Sequence, residues 1–218
     1  MTTFPNSPNI VKGGIVLIDA KSGATLNMIS LQYNPDSLSR TYAPQGFGDG
    51  SQGEALRFKG PAVETLTIEA EIDAADQLEF PDQNQDVIEH GIQPQLAVLE
   101  SLINPTSEQL NNNNNLANAG TLEIAPMEAP LALFVWSKNR IVPISISTFS
   151  ITEEAFDTQL NPIRAKVNLA MKVLNINDLG FKHKGGSLFM SYLQNKEQLA
   201  TKASGASLNS FGLSTLPP

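Results

Sequence analysis

Over much of its length the chain alternates apolar and polar positions with a period of two, the spacing of strands that bury one face and wet the other. The clearest stretch in the first half runs from Thr65 to Asp73. Leu66, Ile68, Ala70 and Ile72 share one face, and Thr65, Thr67, Glu69, Glu71 and Asp73 share the other. The pattern returns near the end, where Ile163, Ala165, Val167, Leu169, Met171 and Val173 lie opposite Arg164, Lys166, Asn168 and Lys172. Leu131 to Trp136 is apolar on both faces and predicts a central strand. In Ile144 to Ile151 the apolar phase slips from even to odd positions, which predicts a β-bulge near Ser147. Ser137 to Asn139 reads as the tight turn between these two strands. Ile15–Ile18 and Leu26–Tyr33, separated by Lys21-Ser22-Gly23, read as a hairpin.

Helical spacing is confined to two places. Pro94 suits the first turn of a helix whose apolar stripe is Leu96, Leu99 and Ile103 and whose stop is Asn104-Pro105, with Val87–His90 as a preceding turn. A second helix is predicted from Ser187 to about Lys202, with Leu188, Phe189, Tyr192, Leu193 and Leu199 on one side, Ser187 as N-cap and Gly205 as stop. This divides the chain into a β domain over 10–178 and a C-terminal helix with a flexible tail over 179–218. Asn111–Asn115 reads as a polar surface loop. Pro35–Gly60 is rich in Gly yet carries Tyr42, Phe47, Leu56 and Phe58. Ordering such an arm costs about 1–2 kcal/mol of backbone entropy per residue. It is therefore either mobile or folded onto a neighbour, and the spaced aromatic residues favour the neighbour.

Composition removes several function classes. The net charge of −8 disfavours tracking nucleic-acid phosphates or docking on anionic lipid. Without cysteine there is no disulfide, thiol nucleophile or thiolate metal site. No apolar run approaches the ~20 residues of a membrane span, and the polar, Pro-rich start lacks the plan of a signal peptide. The chain is expected to assemble in the cytoplasm without membrane insertion.

Candidate chemistry is thin. The two histidines, His90 and His183, stand in no metal-ligand spacing, and His183 reads as a solvated turn residue. The acidic run Glu69, Glu71, Asp73, Asp76 and Glu79 offers paired carboxylates for acid–base work or a cation. At period two, however, its first three members are simply the wet face of a strand. No nucleophile elbow, dinucleotide fingerprint or P-loop is present. Trp136 and Tyr33 raise a sugar-binding platform, although a Trp in an apolar strand more often belongs to the core. No catalytic residue, cofactor or metal is expected.

A set of segments then falls in order along residues 10 to 175: Tyr33-Asn34-Pro35-Asp36-Ser37-Leu38-Ser39-Arg40, Leu56-Arg57-Phe58-Lys59-Gly60-Pro61, Glu71-Ile72-Asp73-Ala74-Ala75-Asp76, Gly91-Ile92-Gln93-Pro94, Phe134-Val135-Trp136, Arg140-Ile141-Val142-Pro143 and Phe156 to Ala165. Together they resemble the tube and tube-initiator (baseplate adaptor) proteins of antifeeding-prophage-like contractile injection systems. The resemblance implies a mainly β (α+β) fold: an antiparallel tail-tube-like β-barrel or sandwich with one packed helix, followed here by a C-terminal helix. It implies a six-fold ring joining the inner tube to the baseplate. The partners would be copies of the chain itself, the spike or hub protein, the inner-tube protein and other baseplate components of a phage-tail-like particle. A LysM-like C-terminal domain common among such relatives is not found. On this resemblance Arg40, Tyr42, Phe47, Leu56 and Phe58 are expected at an inter-subunit interface, and Leu188, Phe189 and Tyr192 on a partner-contact helix. An ordinary inner-tube ring subunit and a β-sandwich ligand-binding module are the alternatives. The opposite charges Glu69/Glu71/Asp73 and Arg164/Lys166/Lys172 imply either cross-strand pairing or complementary ring surfaces.

Overall fold

The computed structural model describes residues 11–46, 57–120, 129–203, 205 and 207–216. Seven strands form one sheet: β1 (Gly14–Ile18), β2 (Thr25–Ser30), β3 (Leu38–Ala43), β4 (Val63–Asp73), β5 (Leu131–Ser137), β6 (Arg140–Phe156) and β7 (Pro162–Val173). Their order is β2-β1-β5-β6-β7-β4-β3, and every neighbouring pair is antiparallel. The fold is mainly β with packed helices, as the alternation implies.

The alternation sets the register. In β4 and β7, Leu66, Ile68, Ala70 and Ile72 stand opposite Met171, Leu169, Val167 and Ala165, and all eight are buried. Fully burying a Leu, Ile or Met side chain contributes about 1.5–3 kcal/mol, so a one-residue slip would forfeit the core. The charged positions meet on the other face, with Asp73 opposite Arg164 and Glu71 opposite Lys166. Arg164 Nε lies 2.6 Å from Asp73 and 3.8 Å from Glu71, while Lys166 turns to Glu154 of β6 at 3.0 Å. Cross-strand pairing is thus the arrangement adopted. The β6–β7 register shifts between Ile146 and Thr148. The extra residue is Ser147, whose hydroxyl donates to the Ala170 carbonyl at 2.9 Å.

The sheet is not a closed barrel, because β2 and β3 at its ends do not pair. Side chains of the β2–β3 connection bridge the gap instead. Gln32 Nε2 donates to the Asp73 carbonyl at 2.7 Å, and the Asp73 N–H donates to Gln32 Oε1 at 3.0 Å, so one amide imitates a rung of ladder. Asn34 repeats the device toward the start of the chain, donating to Val11 O and accepting from Gly13 N–H, both at 2.9 Å.

Among the described residues six α-helices lie between and after the strands: α1 (Ala75–Leu78), α2 (Gln85–His90), α3 (Gln93–Glu100), α4 (Ser107–Asn118), α5 (Ile176–Leu179) and α6 (Lys184–Ala200). Leu96 and Leu99 of α3, Val87 of α2, and Phe189 and Tyr192 of α6 complete the core over the buried residues of the sheet. A smaller cluster gathers Ile18, Leu131 and Leu133, with Leu179 and Leu188 packed against it. Gly91 joins α2 to α3 at φ 59°, and a Cβ there would overlap Pro162 O. The Ile92 N–H donates to that same oxygen at 2.8 Å. Only glycine allows so close an approach in that backbone region.

Three local expectations change. Asn111–Asn115 is not a loop but the middle of α4. Thr106 and Gln109 form a capping box that satisfies two end amides, and no Gly or Pro interrupts the run. It is at the surface, with no buried residue. Helix α6 starts before Ser187, because His183 is its N-cap and accepts the Gly185 N–H at Nδ1, 3.1 Å away. It ends at Ala200 without needing Gly205. The Pro35–Gly60 segment is not a free arm throughout: Leu38–Ala43 joins the sheet as β3, and Gly46 bridges Phe58 in antiparallel fashion.

Candidate functional site

Among the described residues, no strand pairs with the outer side of β2 or of β3, so both ends of the sheet are open edges there. At the β2 end, Leu26 and Met28 are 57% and 71% exposed, and the strand Thr-Leu-Asn-Met-Ile-Ser carries neither charge nor proline. At the β3 end, Tyr42 is half-exposed and Phe58 is 82% exposed. Monomeric proteins usually blunt such edges with Lys, Pro or a cover. Beside β2 lies a largely apolar cleft of about 220 Å³ between Met28–Gln32, Ala70–Ile72 and α3, floored by Val167 and Leu169. The Gln95 Oε1 at its wall is buried with no hydrogen-bond partner among the described residues.

The β3 edge is tied to α6 through Glu64, only 3% exposed. Its carboxylate accepts from Arg40 Nε at 3.0 Å, Tyr42 Oη at 2.8 Å, Tyr192 Oη at 3.1 Å and Lys196 Nζ at 2.9 Å. Arg40 also bonds the Tyr42 and Tyr192 hydroxyls, and Lys196 Nζ sits 4.1 Å from the Tyr192 ring centroid and 5.1 Å from that of Tyr42. Burial pushes the Glu64 carboxyl up, but the bonds from Lys196, Tyr42 and Arg40 outweigh it and hold the group below the ordinary glutamate value. Burial likewise opposes the charge on Lys196, and its bonds to Tyr192, Glu64 and Tyr42 raise it nonetheless.

An exposed apolar knob stands at the β6–β7 turn. Leu160 is 78% exposed and adopts φ 66°, a region L side chains rarely take. Asp157 holds it there by accepting the N–H groups of Gln159 at 2.7 Å and Asn161 at 2.8 Å, and Asn161 Nδ2 ties the turn to the Glu89 carbonyl of α2.

Of the expected interface residues, Arg40 and Tyr42 lie on β3, with their side chains in the Glu64 hub, and Phe58 lies at the Gly46 bridge in water. Phe47 and Leu56 lie outside the described residues. On α6, Phe189 and Tyr192 are buried in the chain's own core, and Leu188 packs against the smaller cluster. Glu64 and Lys196 escaped the sequence reading. A signal existed for the first: Glu64 occupies the apolar phase of β4, in step with Leu66 and Ile68. Lys196 follows Tyr192 by one helical turn. Trp136 stacks on Phe134 with centroids 5.8 Å apart and packs against the core rather than forming a sugar platform. Among the described residues no group of three or more His, Cys, Asp or Glu is arranged to hold a metal ion, and no helix is long and apolar enough to cross a membrane.

No protein-family model matches the chain, and no curated protein matches it. Among solved structures it is similar to a chain in the tail of an empty GTA particle with C6 symmetry, at 14% identity over 74% of this chain and 90% of that one, TM-score 0.29. It is also similar to a chain in the virion of a native gene transfer agent particle, at 12% identity over 74% and 90% of the two chains, TM-score 0.26. Likenesses of this degree decide neither fold nor role.

Proposed function

We propose that this chain is a non-enzymatic structural subunit of a phage-tail-like contractile injection system. In this reading identical copies join into a six-fold ring that starts the inner tube and connects it to the baseplate and spike hub. The observation that carries it is the pair of sheet edges left unpaired among the described residues and flanked by exposed Leu26, Met28, Tyr42 and Phe58. An uncharged edge such as β2 is a hazard for a monomer and an asset for a subunit that pairs with its own kind. The ordered segments from Tyr33 to Ala165 supply the choice of particle. The neighbours are the first inner-tube ring on one side and the spike hub on the other, with Phe58 and the turn that carries it reaching an adjacent copy.

The test has two parts. Met28→Lys and Leu26→Lys place a charge on the β2 edge outside the core, so they should abolish self-association in sedimentation while leaving the melting temperature of the chain unchanged. Electron microscopy of particles carrying a tagged chain should show the tag at one level, where tube meets baseplate. Labelling along the whole tube would make it an ordinary ring subunit. A wild-type chain that stays monomeric at high concentration and joins no particle would overturn the proposal.

A further inference from the structure

We infer that α6 is a clasp on the edge strand β3, so that seating of the C-terminal helix and ordering of the Leu38–Ala43 edge are one coupled event that runs through Glu64. Among the described residues, strand β3 has a partner on one side only, and Leu38 is the one apolar side chain it packs on the core. Its remaining anchors on the Glu64 side are Arg40 and Tyr42, and both end on the Glu64 carboxylate. The other ligands of that carboxylate, Tyr192 and Lys196, come from α6, more than a hundred positions away in the chain. Direct links close the circuit: Arg40 donates to the Tyr192 hydroxyl at 3.1 Å, and Lys196 donates to that of Tyr42 at 3.2 Å.

The arrangement makes the two elements interdependent. If α6 leaves, the Glu64 carboxylate loses the Tyr192 hydroxyl and its Lys196 ammonium partner and keeps only the Arg40 and Tyr42 contacts. If β3 leaves, Lys196 and Tyr192 face that carboxylate without the Arg40 guanidinium. A buried charge stripped of a partner is strongly destabilising, whereas the complete network is tolerated. Helix α6 is separately seated by Phe189 in the core and by Asn195, which donates to the Asn139 carbonyl at the β5–β6 turn. A partner that drew α6 away would therefore loosen the β3 edge as well. That consequence for assembly rests on the edge-pairing reading above; the coupling itself is a property of the single chain.

Coupling between two elements must be reciprocal. Hydrogen exchange on the full-length chain, kept dilute enough to be monomeric, reads both directions. Lys196→Met should speed exchange of amides 38–43, and Arg40→Met should speed exchange within 187–200 by a similar factor, about five- to 150-fold. Amides of the interior strand β7 should change little in either variant. Should a variant fail to fold, Tyr192→Phe and Tyr42→Phe, which each remove a single hydroxyl, take its place in the same comparison. Loosening confined to the mutated element, or spread equally over every strand, would overturn the inference. Because the measurement needs no assembly, its failure leaves the proposed function standing, and the failure of that function leaves the coupling intact.

Discussion

Replacing Gln32 by Met isolates the amide that spans the gap between the sheet's ends. Methionine keeps the length and flexibility of the side chain and removes both its donor and its acceptor. Two hydrogen bonds, of 2.7 and 3.0 Å, disappear, and the Asp73 N–H and C=O lose those partners. A typical intramolecular hydrogen bond contributes about 0.5–1.5 kcal/mol net, so the pair corresponds to about 1–3 kcal/mol. The site is only partly buried and water can reach it, which favours the lower half of that range. For a chain of this size, 1 kcal/mol corresponds to about 2–4 °C in melting temperature. Urea unfolding at low protein concentration gives the free energy, and exchange of the Asp73 amide gives a local reading that should speed up as that free energy falls. A Gln32→Met chain within about 0.5 kcal/mol of wild type, with unchanged Asp73 exchange, would show that the amide rung closes nothing.

Gly91→Ala should cost more than about 2 kcal/mol, since an alanine must adopt a left-handed backbone and also displace Pro162 O; a wild-type thermal transition would refute this. Leu160→Asn should raise stability by up to about 1 kcal/mol, because asparagine tolerates the backbone that Leu160 adopts and no buried contact is lost; a lowered melting temperature would contradict it. Glu64 and Asp178 both titrate below their ordinary values. Burial opposes the charge on Asp178, but the Asn175 N–H and Lys172 prevail. The unfolded chain then binds more protons, so their contribution is full above pH 4.5 and is lost as pH falls through the folded values. Acid titration by circular dichroism should show this loss, and a Glu64→Gln chain should begin from lower stability at pH 7 and lose less of it.

Most of the sheet is legible in the sequence because strand periodicity survives wherever one face is buried. Thr65–Asp73 and Ile163–Val173 show it directly, and the phase slip before Phe149 marks Ser147 as the bulge. What escapes are features set by contacts between distant segments. That the sheet stays open could not be read, because closure turns on whether β2 and β3 meet, and the Gln32 amide instead ties the chain after β2 to the end of β4 beyond β3. The asparagine run misleads because its composition resembles a loop, whereas a capping box four residues long, Thr106 to Gln109, starts it as a helix. The Glu64 hub was half visible as a carboxylate in an apolar phase, but its partners on α6 lie 128 and 132 positions away. Phe189 and Tyr192 illustrate the remaining ambiguity: an amphipathic stripe announces that a helix docks, and not whether the surface it docks on belongs to its own chain.

The count of strands has a geometric consequence. Seven strands that alternate in direction leave the two outermost ones, β2 and β3, pointing the same way. Rotating one copy about an axis until its β2 meets the β3 of the copy before it therefore creates a parallel seam, repeated identically around the circle. Two like edges brought together by a two-fold would instead run antiparallel and stop at a pair. An even-stranded sheet would make both junctions antiparallel, so it is the odd parity of this sheet that separates a closed circle from a dimer by the direction of a single junction.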